Sequence, residues 1–280
     1  MFQLFVKFLK RLAVFIPGII IAAFSWEYTL PYLNKHFPYV IAIILSYGVA
    51  AYILIPALVR TWRILFPPKH LPLYCVTPDG FVSDPLNIGI VSTRRELILA
   101  MEKAGWNLSD PATPTTVIKQ ILSIVFQQQY LHSPMSRLFL FGRKQDIAFT
   151  MPVRKTNVNR HHVRFWATTI NETKSFNPRT LQRHNRSAHV HGDRLLWVGA
   201  ASLDVGLIPI KHNWQLTHMV DPDTNKERDL IVEGIKQTSK VTKVEAVKLG
   251  DPYTLVNRTW HGELNSDGIM KIVYLKSISD

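Results

Sequence analysis

Four short polar blocks, each set against an apolar run, hold most of the residues in this chain that could do chemistry. They span 141–149, 159–166, 197–204 and 218–228. The first offers Arg143, Gln145 and Asp146 as ligand contacts. In the second, strand alternation puts His162, Arg164 and Trp166 on one face and His161, Val163 and Phe165 on the other. Histidine and arginine side by side, joined by Arg160, suit an anionic group. His161, on the apolar side, reads as a hydrogen-bonded core histidine. The third block ends on Asp204. Its Gly199, Ala200 and Ala201 let a neighbour or a ligand approach the backbone closely, and tight sheet–helix packing is the simpler of the two readings. In the fourth, Thr224 and Glu227 read as a capping box, which also places Asp223 ahead of a helix. His218, Asp221 and Arg228 are left over. Histidine with closely spaced carboxylates can relay protons or hold a divalent metal, although the spacing HxxDxD matches no established ligand pattern.

These readings give His162, His218 and Asp221 as catalytic candidates. His218 is the acid/base, with Asp221 orienting it or holding a metal. Arg143, Gln145, Asp146, Arg160, Arg164, Asp204 and Arg228 are the ligand-contact candidates. The only cofactor entertained is a divalent metal with no assigned ligand set. GxSxG, HExxH, a Walker lysine loop and GxGxxG are all missing from the chain. A single cysteine, Cys75, excludes an intrachain disulfide and a multi-thiolate metal centre built by one chain. His184, His189 and His191 fall in a polar 171–194 tract that reads as a long solvated loop.

The elements that must position these blocks are legible in outline. A strand over 87–92 leads into Thr93–Glu96, a capping box that opens a helix closed by Gly105. A second helix follows Pro114 to about 128, with Val117, Ile121, Ile124 and Val125 on one face. Strands are predicted over 138–141, 147–151, 163–169, 195–201, 241–248, 253–262 and 269–275. Asp267-Gly268 is a hairpin signal between the last two. A further helix fits 225–237. This is an α+β domain, a mainly antiparallel sheet with about three helices on it.

Ahead of it lie two uncharged apolar stretches. Residues 37–59 would make a helix of about 35 Å, enough to cross a hydrocarbon core of about 30 Å. Residues 12–26 give only about 22 Å and must recruit neighbours. With 34–36 between them they read as a two-helix transmembrane hairpin over 1–66, followed by a Pro-rich linker over 67–74 and the soluble domain over 75–280. Lys7, Lys10 and Arg11 precede the first stretch, Arg60, Arg63 and Lys69 follow the second, and the turn holds Lys35. The positive-inside rule then places both termini in the cytoplasm, with the hairpin in the inner (plasma) membrane. A cleaved signal peptide is the competing reading, against which stand the missing small-x-small site and the second span. Trp26, Tyr28, Tyr32, Tyr39, Tyr52 and Trp62 lie where an aromatic belt is expected. The net charge is +13. Residues 1–70 hold seven Lys/Arg against Glu27, and 154–196 hold nine against Glu172 and Asp193. Anionic lipid, a phosphorylated ligand or plain solubility would each account for the excess. Nucleic acid is not expected, because the basic run lacks interleaved aromatics and a known module. Expected partners are membrane lipids and either a membrane-protein partner or a second copy.

The blocks "LFGRKQDIAF", "RHHVRFW", "WVGAASLD" and "HMVDPDTNKER", preceded by "DPLNIGIV" and "AGW", resemble the LssY C-terminal domain family from about Cys75 to Leu275. On its motif positions stand Arg143, Gln145, Asp146, Arg160, His161, His162, Arg164, Asp204, His218, Asp221, Asp223, Glu227 and Arg228. The resemblance implies a context rather than an activity. Related domains are fused behind DedA-type membrane segments and type 2 phosphatidic-acid-phosphatase domains, which handle phospholipids and isoprenoid lipid phosphates. This chain lacks the phosphatase motifs. The expectation is therefore a membrane-anchored domain that binds, or hydrolyses, a phosphorylated lipid head group or related anion. The alternative is a non-catalytic accessory subunit of an envelope or secretion assembly. A shared first shell requires His162, Asp204 and His218 to lie within about 10 Å of one another, and a site requires the strand ends near Arg143, Arg164 and Asp204 to meet the N-terminus of the 225–237 helix. If Asp221, Asp223 and Glu227 pair instead with Arg143, Arg160 and Arg228 in a closed, buried network, the blocks are structural.

Overall fold

The computed structural model describes residues 18–58, 61, 71–78, 80–126, 128–153, 159–171, 194–209, 216–257 and 262–277. The basic flanks Lys7, Lys10, Arg11, Arg60, Arg63 and Lys69, with Trp62, Pro67, Pro68 and His184, His189 and His191, lie outside the described residues. The chain divides into two compact units, Met1–Phe66 with Pro78–Gly80, and Pro67–Thr77 with Phe81–Asp280.

In the first unit, helix α1 (residues 18–34) contains a π-type turn at Ser25–Thr29. The Leu33 carbonyl ends it by accepting from the amides of His36 (3.0 Å) and Phe37 (2.9 Å). Helix α2 (Tyr39–Leu58) follows directly. Among the described residues it is the one helix long and apolar enough to cross a membrane. Ala42 and Ser46, one turn apart, are buried where α2 packs on α1. Trp26, Tyr28, Tyr32, Tyr39 and Tyr52 are exposed.

The second unit is α+β and mainly antiparallel. Its strands are β1 (Tyr74–Val76), β2 (Val82–Pro85), β3 (Ile88–Ser92), β4 (Asn107–Leu108), β5 (Phe139–Leu140), β6 (Arg143–Lys144), β7 (Ile147–Pro152), β8 (Arg160–Asn171), β9 (Leu195–Pro209), β10 (Leu216–Val220), β11 (Val241–Lys248), β12 (Tyr253–Asn257), β13 (Gly262–Ser266) and β14 (Ile269–Leu275). Its helices are α3 (Arg94–Lys103), α4 (Pro114–Val125) and α5 (Thr224–Thr238). The central sheet runs β11-β14-β3-β9-β8-β7-β4, with β10 beside β9. Among the described residues, β14–β3 is the one parallel pair in it. A small sheet, β2-β1-β5-β6, and the β12-β13 hairpin complete the domain.

Both faces of the central sheet are buried at its middle strands. Val163, Phe165 and Trp197 pack under Leu97 and Met101 of α3 and Ile231 and Ile235 of α5. The opposite face, with Trp166, Val198, Ala200 and Ile272, packs against Cys75, Leu86 and Leu140 of the small-sheet layer. A strand covered on both sides cannot show a polar-out alternation, so any polar residue on the second face of β8 is buried with its partners or not at all.

Local signals mostly hold. The Thr93 hydroxyl accepts from the Glu96 amide (3.2 Å), and the Glu96 carboxylate accepts from the Thr93 amide (2.8 Å). Gly105 takes the left-handed conformation (φ 87°) that a helix end needs. Three readings are corrected. The cap of α5 is Asp223, which accepts from the Asn225 amide at 3.2 Å, while the Thr224 hydroxyl donates to the Asn265 carbonyl and Glu227 turns to His161. Asp267-Gly268 closes no hairpin: β13 pairs with β12, and β14 leaves for the central sheet. The predicted 253–262 strand is likewise two strands, β12 and the start of β13.

Candidate functional site

The site is a ladder on the small-sheet face of β8 and β9. Register pairs Arg160 with Asp204, His162 with Ser202 and Arg164 with Ala200. Residues two apart share a face, so Arg160, His162 and Arg164 line up beside Ser202 and Asp204. Strand β10, bonded to the far half of β9, adds His218. From above, β2 contributes Asp84, and Ser133 and Ser136 come from the segment before β5.

Asp204 is the hub. Its Oδ2 accepts from Arg160 Nε at 3.1 Å. His162 Nδ1 lies 3.3 Å from Oδ1, and His218 Nδ1 lies 3.5 Å from Oδ2. His162, Asp204 and His218 therefore converge. The second anchor is Asp84, whose Oδ2 accepts from Arg164 Nη1 (2.8 Å) and sits 3.4 Å from His162 Nε2. Ser202 Oγ is 2.9 Å from the same Nε2. Arg160 also donates to Ser133 Oγ (2.6 Å), and Arg164 to Ser136 Oγ (3.1 Å). His218 is 21% exposed, against 2–5% for Arg160, His162, Arg164, Asp84 and Asp204, and Ser136 above Arg164 is exposed as well. Both histidine Nδ1 atoms are buried without a well-aligned hydrogen bond.

Burial works against a charge on Asp204, but His162, His218 and Arg160 outweigh it and hold the carboxyl well below the usual range. Asp84 is held low in the same way, burial being overcome by the His162 hydrogen bond and by Arg164. For His162, burial pulls the imidazole down, yet Asp204 and the Asp84 hydrogen bond raise it above its ordinary value. His218 goes the other way. Burial, reinforced by Arg160, His162 and Arg164, lowers it to about 4 despite Asp204. Two arginines thus face two carboxylates in a desolvated cluster, and the raised pKa of His162 between them favours its cationic form. His218 is neutral beside it. The nearby Asp204 carboxylate favours the tautomer with the proton on Nδ1, which leaves the lone pair on Nε2.

The other candidates lie elsewhere. Arg143 pairs with Asp146 and donates to the Ala167 carbonyl (3.2 Å), while Asp146 accepts from the Ala167 amide (2.8 Å). Gln145 bonds the Leu138 amide and the Ser136 carbonyl. This trio braces the tight β5–β6 turn, with Phe141 and Gly142 both at positive φ (53° and 76°), against β8. Arg228 bonds Asp229, both oxygens of Asp267 and the Ile269 carbonyl, tying α5 to the β13–β14 connection. Asp221 accepts from the Asp223 amide at 2.8 Å in the turn into α5, so the carboxylate beside His218 is Asp204. His161 pairs with Glu227 at 2.8 Å. That pair sits on the helix face of the sheet, opposite the ladder. The N-terminus of α5 therefore does not open on the ladder: the Asn87 side chain bonds the Ala201 and Thr224 carbonyls and locks the helix end to β9. Gly199 to Ala201 admit protein, not ligand, since Phe165 and Ile88 fill the space over Gly199.

Sequence reasoning missed Asp84, Ser202, Ser133 and Ser136. Asp84 had a signal, a lone carboxylate just ahead of the apolar 86–91 run. Ser202 had one as well, two residues before Asp204 in the same block and so on its face; Ser133 and Ser136 had none. Among the described residues, no three His, Cys, Asp or Glu side chains are grouped to hold a metal ion. At Asp204 the arginine Nε takes the approach a cation would need.

The chain belongs to the LssY C-terminus family, which matches residues 68–268. The match takes in every strand of the ladder. No curated protein and no solved structure matches the chain.

Proposed function

We propose that the chain is a membrane-tethered domain that binds the phosphate of a lipid head group, or a related anion, at the Asp204 cluster, with His218 as the proton acceptor. One observation carries this reading: a buried cluster of Arg160, Arg164 and His162 with two carboxylates adjoins a part-exposed histidine backed by Asp204. Desolvated fixed charge interacts far more strongly than surface charge, so a phosphate at His218 would feel Arg160, Arg164 and His162 through a low dielectric. A neutral imidazole oriented by Asp204 is suited to take a proton from an attacking water, the usual general-base role. His162 acts as a positioning residue between Asp84 and Asp204.

The test uses purified full chain with vesicles containing or lacking phosphatidic acid. Binding should favour the phosphatidic acid vesicles. Any phosphate release should fall about 100-fold or more in His218→Ala and show an acid limb near pH 4, where His218 gains a proton. Equal affinity for both vesicles, with no release under any divalent metal, would rule the reading out.

A second reading, a non-catalytic accessory subunit, is favoured by the mutual pairing of Asp84 with Arg164 and of Asp204 with Arg160, all nearly buried. Wild-type behaviour of His218→Ala in cells, with the chain held in one large detergent-extracted complex, would select it.

We further propose that α1 crosses the membrane together with α2 in a two-pass hairpin with both termini cytoplasmic, on the strength of the basic flanks. Cys75 cannot report topology, because it is buried, its thiol donates to the Asp84 carbonyl and burial pushes its pKa up. A cysteine at the exposed Lys236 serves instead. It should stay unlabelled by an impermeant thiol reagent in intact cells and react after lysis, whereas labelling in intact cells would invert the topology.

A further inference from the structure

Helix α4 lies the wrong way round for a soluble domain. Thr113 caps it, accepting from the Thr116 amide, and Pro114 stands in its first turn. Its sequence is amphipathic, with Thr115, Thr116, Lys119, Gln120 and Ser123 on one side and apolar residues on the other. A surface helix normally turns its apolar stripe to the core. Here Ser123 is its one buried residue, while Val117, Ile118, Ile121, Leu122, Val125 and, just past its end, Phe126 are 40–66% exposed. The polar side is the anchored one: Lys119 stacks on the Tyr130 ring at 4.3 Å, and Thr116 donates to the Pro111 carbonyl. The expectation that the helices lie with their apolar faces on the sheet holds for α3 and α5 and fails for α4.

From this geometry we infer that α4 is an interfacial helix, lying in the plane of the bilayer with the Ile118–Ile121–Val125 face among the lipid acyl chains. The inference rests on the membrane-tether reading and is independent of the anion site. Three observations choose lipid over another occupant. Between Asp110 and Asp146 the chain has no Asp or Glu, and its exposed cations are Lys119, Arg137 and Lys144, as befits a surface held against anionic head groups. At 12 residues, α4 is about 18 Å long, too short to span and of a kind that lies flat. Finally, residues 59–73 are at most about 50 Å of extended chain between α2 and β1. A bilayer holding α2 is thus at high effective concentration for any lipid-seeking surface on the domain.

The experiment takes the full chain in phosphatidylcholine–phosphatidylglycerol vesicles, with no lipid phosphomonoester. Ile121→Cys, Val125→Cys and the control Lys236→Cys each carry an environment-sensitive fluorophore, the buried Cys75 of the parent chain serving as blank. Nitroxides on the acyl chains should quench the label at 121 and 125 about threefold or more above that at 236. A chain that floats with the vesicles but shows equal quenching at all three sites overturns the inference alone. So does a blue shift at 121 that grows with protein concentration in detergent without lipid quenching, because the face would then be covered by a second copy. A chain that fails to float overturns the tether and this inference together.

Discussion

Asp84→Ala is expected to destabilise the domain by about 3–5 kcal/mol, because it leaves Arg164 buried without its counter-charge. Asp84 and Arg164 are 4% and 5% exposed and meet at 2.8 Å. An isolated charge at that depth has no water to turn to. The double variant Asp84→Leu, Arg164→Met removes both charges and keeps the volume, so it should lie about 2 kcal/mol or more closer to the parent than Asp84→Leu alone. Urea denaturation of the full chain, followed by the fluorescence of buried Trp106, Trp166 and Trp197, reads out each arm. Equal stability of the parent and Asp84→Ala would show that water enters the ladder, and the description of a desolvated cluster would fall. The double variant also separates stability from function. If the arginine serves only Asp84, phosphate-vesicle binding survives the swap; if its charge reaches the His218 mouth, binding weakens while the fold persists.

Gly199→Ala should cost about 2–3 kcal/mol. A methyl group there would lie 2.6 and 2.7 Å from the Phe165 ring and 2.8 Å from Ile88 Cγ2, in the middle of the helix-side core. Neither neighbour is the end of a flexible chain, and Gly199 does not use a left-handed backbone, so the ring or the strand must move. Gly206→Ala, later in the same strand, meets only Met219 Cε at 3.6 Å and should change stability by no more than about 0.5 kcal/mol. The two midpoints in urea make the comparison. If Gly199→Ala matched Gly206→Ala, the core would be loose enough to open a ligand space at the 199–201 stretch.

Local signals in the chain determined a good part of this protein. Period two in 160–166 sorted His162, Arg164 and Trp166 from His161, Val163 and Phe165, because alternation along a strand needs no tertiary information. The Thr93 capping box, the glycine at 105, the bounds of β11 and β14 and the long apolar 39–58 helix followed from residue type and spacing alone. The family blocks told where chemistry-bearing residues gather, and Asp204, Arg160, His162 and His218 do gather. Tertiary structure decided which of them share a face, which partner each takes and what lies above. The ladder is buried because a second small sheet, built from strands of two to four residues with almost no periodic signal, folds over it and brings Asp84. His218 meets Asp204 rather than the nearer-in-sequence Asp221, because cross-strand pairing sets its neighbours while Asp221 is used by the turn into α5. The apolar face of α4 was equally plain in the sequence, but amphipathicity states only that one side avoids water. Which side meets the domain is fixed by what the rest of the chain leaves uncovered, and that is a property of the assembled fold.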